Sequence, residues 1–425
     1  MSALNKKTLF TYFKEGGIYL VLLVLLAIII IQDPTFLSLM NLSNILTQSS
    51  VRIIIALGVA GLIVTQGTDL SAGRQVGLAA VIAATLLQSM DNVNKVFPQM
   101  ETWSIPLVIL LVCAVGAVIG LVNGLIIAYL NVTPFITTLG TMIIVYGINS
   151  LYYDYVGASP VAGFDPKFST FAQGFLRFGD FKLSYITFYA IIAIAFVWVL
   201  WNKTRFGKNI FAIGGNPEAA KVSGVNVPLN LIMIYALSGV FYAFGGLLEA
   251  GRIGSATNNL GFMYELDAIA ACVVGGVSFA GGVGTVLGVV TGVIIFTVIN
   301  YGLTYIGVNP YWQYIIKGSI IIFAVALDSL KYAKKNKSVL RFTITASICW
   351  PFCFCYVTRQ ICHLSVIPVV AVPPHPNPLP KKERGQNGAA FRDRSLFVAM
   401  THSVLWSDAG VNLWHVRSPR PLGEG

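Results

Sequence analysis

Ser104-Ile-Pro-Leu-Val-Ile-Leu-Leu-Val-Cys-Ala-Val-Gly-Ala-Val-Ile-Gly-Leu-Val-Asn-Gly-Leu-Ile-Ile-Ala-Tyr-Leu130 contains no Asp, Glu, Lys or Arg. It exceeds the roughly 20 apolar residues that carry a helix across a bilayer. Outward from it, apolar windows near 17–32, 51–68, 74–90, 134–153, 184–201, 228–250, 265–280, 284–306 and 311–328 predict an all-α, polytopic membrane protein of about ten transmembrane helices. The windows 51–68, 74–90 and 265–280 are short or Gly-rich, which marks them as candidates for partial insertion. The chain is 56% apolar and 11% charged, with mean hydropathy +0.75. Its solvent is therefore largely lipid, and catalysis in water is excluded as a main role.

The net charge of +11 would point to nucleic acid in a soluble protein. Here the Lys and Arg residues flank apolar runs, so the membrane accounts for them and no nucleic-acid partner is expected. Lys6, Lys7 and Lys14 precede a first run without a small-residue cleavage site, which reads as a retained helix. Ten crossings place these lysines and Lys331, Lys334, Lys335 and Lys337 on one side, which the excess of positive charge makes the cytoplasm. Residues 202–227 fall on that side, and 91–103 and 154–183 on the other.

Gly116, Gly120 and Gly124 recur at intervals of four, as do Gly284, Gly288 and Gly292. Small residues at this spacing let helices approach closely. The flanking text is similar as well, Ala117-Val-Ile-Gly-Leu-Val-Asn-Gly-Leu-Ile-Ile127 against Thr285-Val-Leu-Gly-Val-Val-Thr-Gly-Val-Ile-Ile295. As spans four and nine these cross in opposite directions, the pattern of an inverted repeat of spans 2–5 and 7–10 with the pathway near the repeat interface. Convergent glycine patterning in tightly packed helices is the alternative reading.

The long polar segment 202–227 carries Asn216, a good N-cap, then Pro217 at the first helical position and Glu218 in the first turn. Ala219 and Ala220 follow, and Gly224 stops the helix after about two turns. A short capped helix flanked by Lys203, Arg205 and Lys208 reads as a docking knob. Its Glu-Ala-Ala-x-x-x-Gly core resembles the coupling loop of binding-protein-dependent ABC importers. Together with Gly58-Val-Ala-Gly-Leu-Ile-Val-Thr-Gln-Gly-Thr-Asp-Leu-Ser-Ala-Gly73 and Asn131-Val-Thr-Pro-Phe-Ile-Thr-Thr-Leu-Gly140, it makes the chain from Met1 to about Lys337 resemble the ribose/arabinose/galactose permease family.

That resemblance implies a permease in the bacterial inner membrane, with both permease ends cytoplasmic and two copies forming the pore. It also implies a periplasmic galactose-binding protein and an ABC ATPase subunit that uses ATP and Mg. The loop departs from the importer pattern after Gly224, where the Ile-x-Leu-Pro ending is missing. The residues themselves contain no Gly-x-x-x-x-Gly-Lys-Ser/Thr loop, so the chain is expected to bind no cofactor and to be a transport subunit, with ATP hydrolysed elsewhere.

A neutral, hydroxyl-rich cargo calls for amides and hydroxyls along its path. Asn123, Thr137, Thr138, Asn149 and Asn300 are the candidates, each of which could instead bond a neighbouring helix. Asp69 and Arg74 are expected to pair at a helix break, either bending the chain toward the pathway or forming a structural salt bridge. Glu249, Arg252, Glu265 and Asp267 read as a landing surface for a binding protein or as solvated loop ends. An ion-coupled secondary transporter is the rival function. Proton coupling would need an ionisable relay, yet residues 1–337 have no His and few in-span acids.

All four His, four of the six Cys and nine of the 18 Pro lie after Lys337. The segregation marks 338–425 as a separate tail, expected to be disordered and to stem from a frameshift or read-through. Cys349, Cys353, Cys355, Cys362 and His363 within it match no Cys-x-x-Cys pair, and no metal site is expected.

Overall fold

The structure, a computed structural model, describes residues 26–179 and 181–333. The start of the first apolar window, the lysines at 334, 335 and 337 and the tail 338–425 lie outside those residues. Among the described residues, twelve helices follow the short 3₁₀ turn Pro34–Leu37. They are α1 Leu39–Val64, α2 Ala72–Leu86, α3 Ile105–Leu130, α4 Pro134–Tyr155, α5 Pro166–Gln173, α6 Tyr185–Lys203, α7 Arg205–Gly215, α8 Pro217–Val222, α9 Val227–Ile253, α10 Tyr264–Val274, α11 Val286–Tyr305 and α12 Pro310–Ala333. Strands β1 Val161–Ala162 and β4 Ser255–Ala256 pair antiparallel, as do β2 Phe175–Phe178 and β3 Phe181–Ser184.

Six helices (α1, α3, α4, α6, α9 and α11) are long and apolar enough to cross a membrane. The nine windows after the first each fall on a helix. The window near 51–68 is more extensive than its text implies, because its helix begins at Leu39 and runs for 26 residues, about 39 Å. Ser49, Ser50 and Asn41 lower its hydropathy, yet they are buried against protein. By contrast α2 has 15 residues and α10 has 11, about 22 and 16 Å, well short of a hydrocarbon core of about 30 Å.

The glycine rows explain how tightly the bundle closes. Gly116 of α3 lies against Gly239 of α9 so closely that a Cβ on either would overlap the other's carbonyl oxygen, and Gly120 meets the carbonyl of Tyr235 in the same way. In the second row Gly288 and Gly292 press on the carbonyls of Gly275 and Ala271. The helix pairing is crosswise. α3 packs on α9 as α11 packs on α1, α2 lies against α9 as α10 lies against α1, and α1 and α9 touch each other. Each set of helices thus packs its glycine-patterned and half-length helices on the long helix of the other set.

Candidate functional site

Two local structures stand out, one on the surface at the α7–α8 end and one inside. At the surface, Asn216 caps α8 with its side chain accepting from Ala219 N at 3.0 Å, and Pro217 opens the helix. Glu218 lies in the first turn, where a carboxylate complements the helix dipole. The helix ends as a glycine C-cap requires. Gly224 takes φ +84°, its N–H donates to Lys221 O and that of Val225 to Ala220 O. Ala220 is buried beneath the knob, while Glu218, Ala219, Lys221 and Val222 are exposed, Val222 at 89%.

The sequence reading missed α7, which precedes this knob. Thr204 caps it, donating no bond of its own to the helix but accepting from Gly207 N at 3.1 Å. Its buried Ile210 and Ile213, three residues apart, were the available signal. The C-terminal end of α7 is stitched into the bundle. Gln66, in the left-handed conformation at φ +62°, donates through Nε2 to Gly214 O at 2.8 Å and to Ala280 O at 2.9 Å. Gly282 N also donates to Val64 O at 2.8 Å. The knob therefore shares a clamp with the end of α1 and with the 275–285 turn after α10.

Inside, the chain leaving α1 turns back, so that α2 starts level with the middle of two long helices. Gln75 Oε1 sits 3.3 Å from the Cβ position of Gly239, the midpoint of α9. From the opposite end, residues 254–263 return from α9 and bring Gly261 onto Gly73, in contact close enough to exclude any Cβ. The two half-length helices α2 and α10 thus begin at one junction and diverge toward opposite ends. α2 ends where Leu87 O receives Asp165 N, at the strand-bearing end.

Polar groups converge on this junction. Asn123 donates to Ser71 Oγ at 3.3 Å and accepts from Thr141, and Ser71 in turn donates to Asp69. Thr138 receives Leu70 N at 3.1 Å and donates to Pro134 O, whereas Thr137 donates to Thr133 O. Asn149 donates to Asn258 O at 3.2 Å and leaves its Oδ1 buried without a partner among the described residues. Asn300, on α11, does not join the group, and both its side-chain amide atoms are buried without a hydrogen bond among the described residues.

Two expectations need correction. Asp69 and Arg74 make no ion pair. Asp69 Oδ1 accepts from Ser71 N at 2.9 Å and from the Ser71 hydroxyl and its Oδ2 is buried without a hydrogen bond among the described residues, while the Arg74 guanidinium lies 4.3 Å from the Tyr146 ring centroid and 5.2 Å from that of Phe262. A spacing of five residues across a turn and a helix start sends the two side chains to different neighbours. Glu249, Arg252, Glu265 and Asp267 form no exposed landing surface either. Glu249 accepts from Arg252 at 2.8 and 2.9 Å and from Tyr264 at 2.6 Å, and Asp267 bridges Arg52 at 3.3 Å and Lys317 at 3.1 Å. These charges lock α10 to α1, α9 and α12.

Residues 41–325 match the family model described as branched-chain amino acid transport system / permease component. The chain is 89% identical over 336 residues to the galactose/methyl galactoside import permease protein MglC of Escherichia coli K12, covering 79% of this chain and 100% of that protein. It is 80% identical over 336 residues, with the same coverage, to MglC of Haemophilus influenzae. The ribose import permease protein RbsC of Escherichia coli K12 is 38% identical over 313 residues, 73% of this chain and 92% of that protein. No solved structure matches the chain.

Proposed function

The chain belongs to the branched-chain amino acid transport system / permease component family, and from that premise we propose that it is the permease subunit of an ABC importer for galactose and methyl galactoside. The cargo is inferred from relatives that are 80% and more identical. ATP and Mg are used by a partner ATPase, which docks on α8 through Asn216 to Gly224. That end of the bundle is then cytoplasmic, in a bacterial inner membrane. A second copy of the chain completes the pathway, and a periplasmic galactose-binding protein loads it from the strand-bearing end. The sugar passes the junction of α2 and α10, lined in part by the Asn123, Thr137, Thr138 and Asn149 set, with Asn300 further along.

The observation that carries this reading is the knob. It is short, capped at both ends, exposed on its outer face, and joined, through Gln66 at Gly214 just before it, to the turn that leads into α2 and the turn that leaves α10. A force applied there reaches α2 and α10 through two hydrogen bonds and a few residues of chain. The test is complementation of a strain lacking its own galactose permease, with ATPase co-purification scored alongside. The chain should restore ATP-dependent uptake. Glu218→Lys, which reverses the charge of the outer face, and Gly224→Pro, which cannot adopt φ +84°, should remain in the membrane and lose both ATPase association and uptake. Normal association and uptake in both variants would sink the docking assignment.

A further inference from the structure

We propose that Arg74, framed by the Tyr146 and Phe262 rings, is a sugar-contact station in the middle of the membrane, taking a neutral aldopyranose as it passes between the half-helices. The proposal rests on the permease reading and adds the residues that meet the cargo.

Arg74 is the third residue of α2, and the helix starts level with the midpoint of α9. A guanidinium at that depth is costly when it faces lipid, so it should face a cavity, a partner or a pathway. Neither Asp69 nor Glu265 reaches ion-pair distance of Arg74 among the described residues, and Glu265 faces its charge only at longer range. Its Nη1 is buried and makes no hydrogen bond among the described residues. Two aromatic faces hold it instead, and both rings are themselves 41% and 46% exposed.

One helical turn beyond Tyr146, Asn149 is 1% exposed with its Oδ1 unpartnered among the described residues. A fork of N–H donors, an amide acceptor and two rings with open edges match what a pyranose offers. Its hydroxyls accept from the guanidinium and donate to the amide, while its C–H face stacks on an aromatic ring. A neutral sugar leaves the charge on Arg74 in place, so contact needs no proton transfer. The backbone cradle favours this geometry too, because Gly73 and Gly261 touch and any side chain at either would push the two helix starts apart.

The test uses the full importer, the chain with its ATPase and binding protein, in cells and with uptake normalised to assembled complex. Arg74→Gln should lower galactose uptake about ten- to a hundredfold, the loss of a hydrogen bond to a charged group. Arg74→Lys keeps the charge without the fork and should fall between. Tyr146→Leu alters an exposed ring, so it folds, and should lower uptake severalfold and change the ratio of galactose to methyl galactoside imported. Wild-type uptake in Arg74→Gln or Tyr146→Leu, or losses that leave that ratio unchanged in all three variants, would overturn the station. Failure of the unmodified chain to import either sugar would count against the permease reading instead.

Discussion

Asn123 and Asn300 look alike in the sequence, each an amide in a glycine-patterned apolar run, and the fold gives them opposite energetics. Asn123 is fully buried with its donor on Ser71 and its acceptor on Thr141, so it ties α3 to the start of α2 and to α4. Asn300 is 6% exposed and satisfies neither amide atom among the described residues. Removing a bonded amide forfeits its partners, whereas replacing an unsatisfied one by an apolar group of similar size is close to neutral. Asn123→Leu should therefore destabilise the purified complex by about 1–2 kcal/mol, the upper range for hydrogen bonds between membrane helices, while Asn300→Leu should leave stability unchanged. Thermal unfolding of the two variants in detergent checks this, and an equal loss in both would refute the distinction. If Asn300 also lies on the sugar path, its variant should lose uptake while keeping its melting temperature.

In the clamp that joins α7, α1 and the 275–285 turn, one side chain makes the hydrogen bonds to α7 and to Ala280, both from Gln66 Nε2, while the backbone bond of Gly282 to Val64 ties the turn to α1. Gln66→Ala should preserve ATPase binding through α8, which it does not touch, yet let the enzyme hydrolyse ATP without moving sugar. Measuring hydrolysis and uptake together distinguishes this from simple loss of assembly; uptake at the wild-type ratio to hydrolysis would count against the clamp as the transmission route. The bundle makes a second demand at this scale. Gly116→Leu forces a side chain into the Gly239 carbonyl and should cost about 1–3 kcal/mol of stability, the range for overpacked sites. Long apolar helices were legible because a run such as 104–130 has few other solutions in lipid, and α2 and α10 were legible as short, Gly-rich windows. The capped knob was legible because Asn216, Pro217 and Gly224 act within one turn of chain. What the text could not supply was partner identity. Arg74 finds rings 72 and 188 residues further along, and Glu249 finds Tyr264, so neighbours in the sequence were poor guides to neighbours in space. α7 was hidden for a different reason: its apolar face is narrow and its text, rich in Gly and carrying Arg205, Lys208 and Asn209, reads as a polar linker.

At the scale of the molecule, the crosswise packing of the two helix sets puts both half-helix starts at one level, with α2 leading to one end and α10 to the other. Small rotations of one set against the other can then open the junction toward either side, which is the alternation an importer needs. All of this lies within residues 26–333, and the E. coli relative is matched in full by 79% of the chain. The remaining segment differs in kind. It holds every His, four of six Cys and half of the Pro, and its strings Pro373-Pro-His-Pro-Asn-Pro-Leu-Pro-Lys-Lys-Glu-Arg-Gly385 and Ser418-Pro-Arg-Pro-Leu-Gly-Glu-Gly425 resemble no part of the bundle. Its apolar stretch from Val366 to Val372 is too short to cross a bilayer, and Arg341, Arg359 and His363 interrupt what precedes it. Nothing proposed here for docking, clamping or sugar contact uses a residue beyond Lys317. Deleting 338–425 should accordingly leave membrane level, ATPase co-purification and galactose uptake at those of the full chain. A shortened chain that inserts and assembles normally but no longer imports sugar would show that the segment contributes to transport.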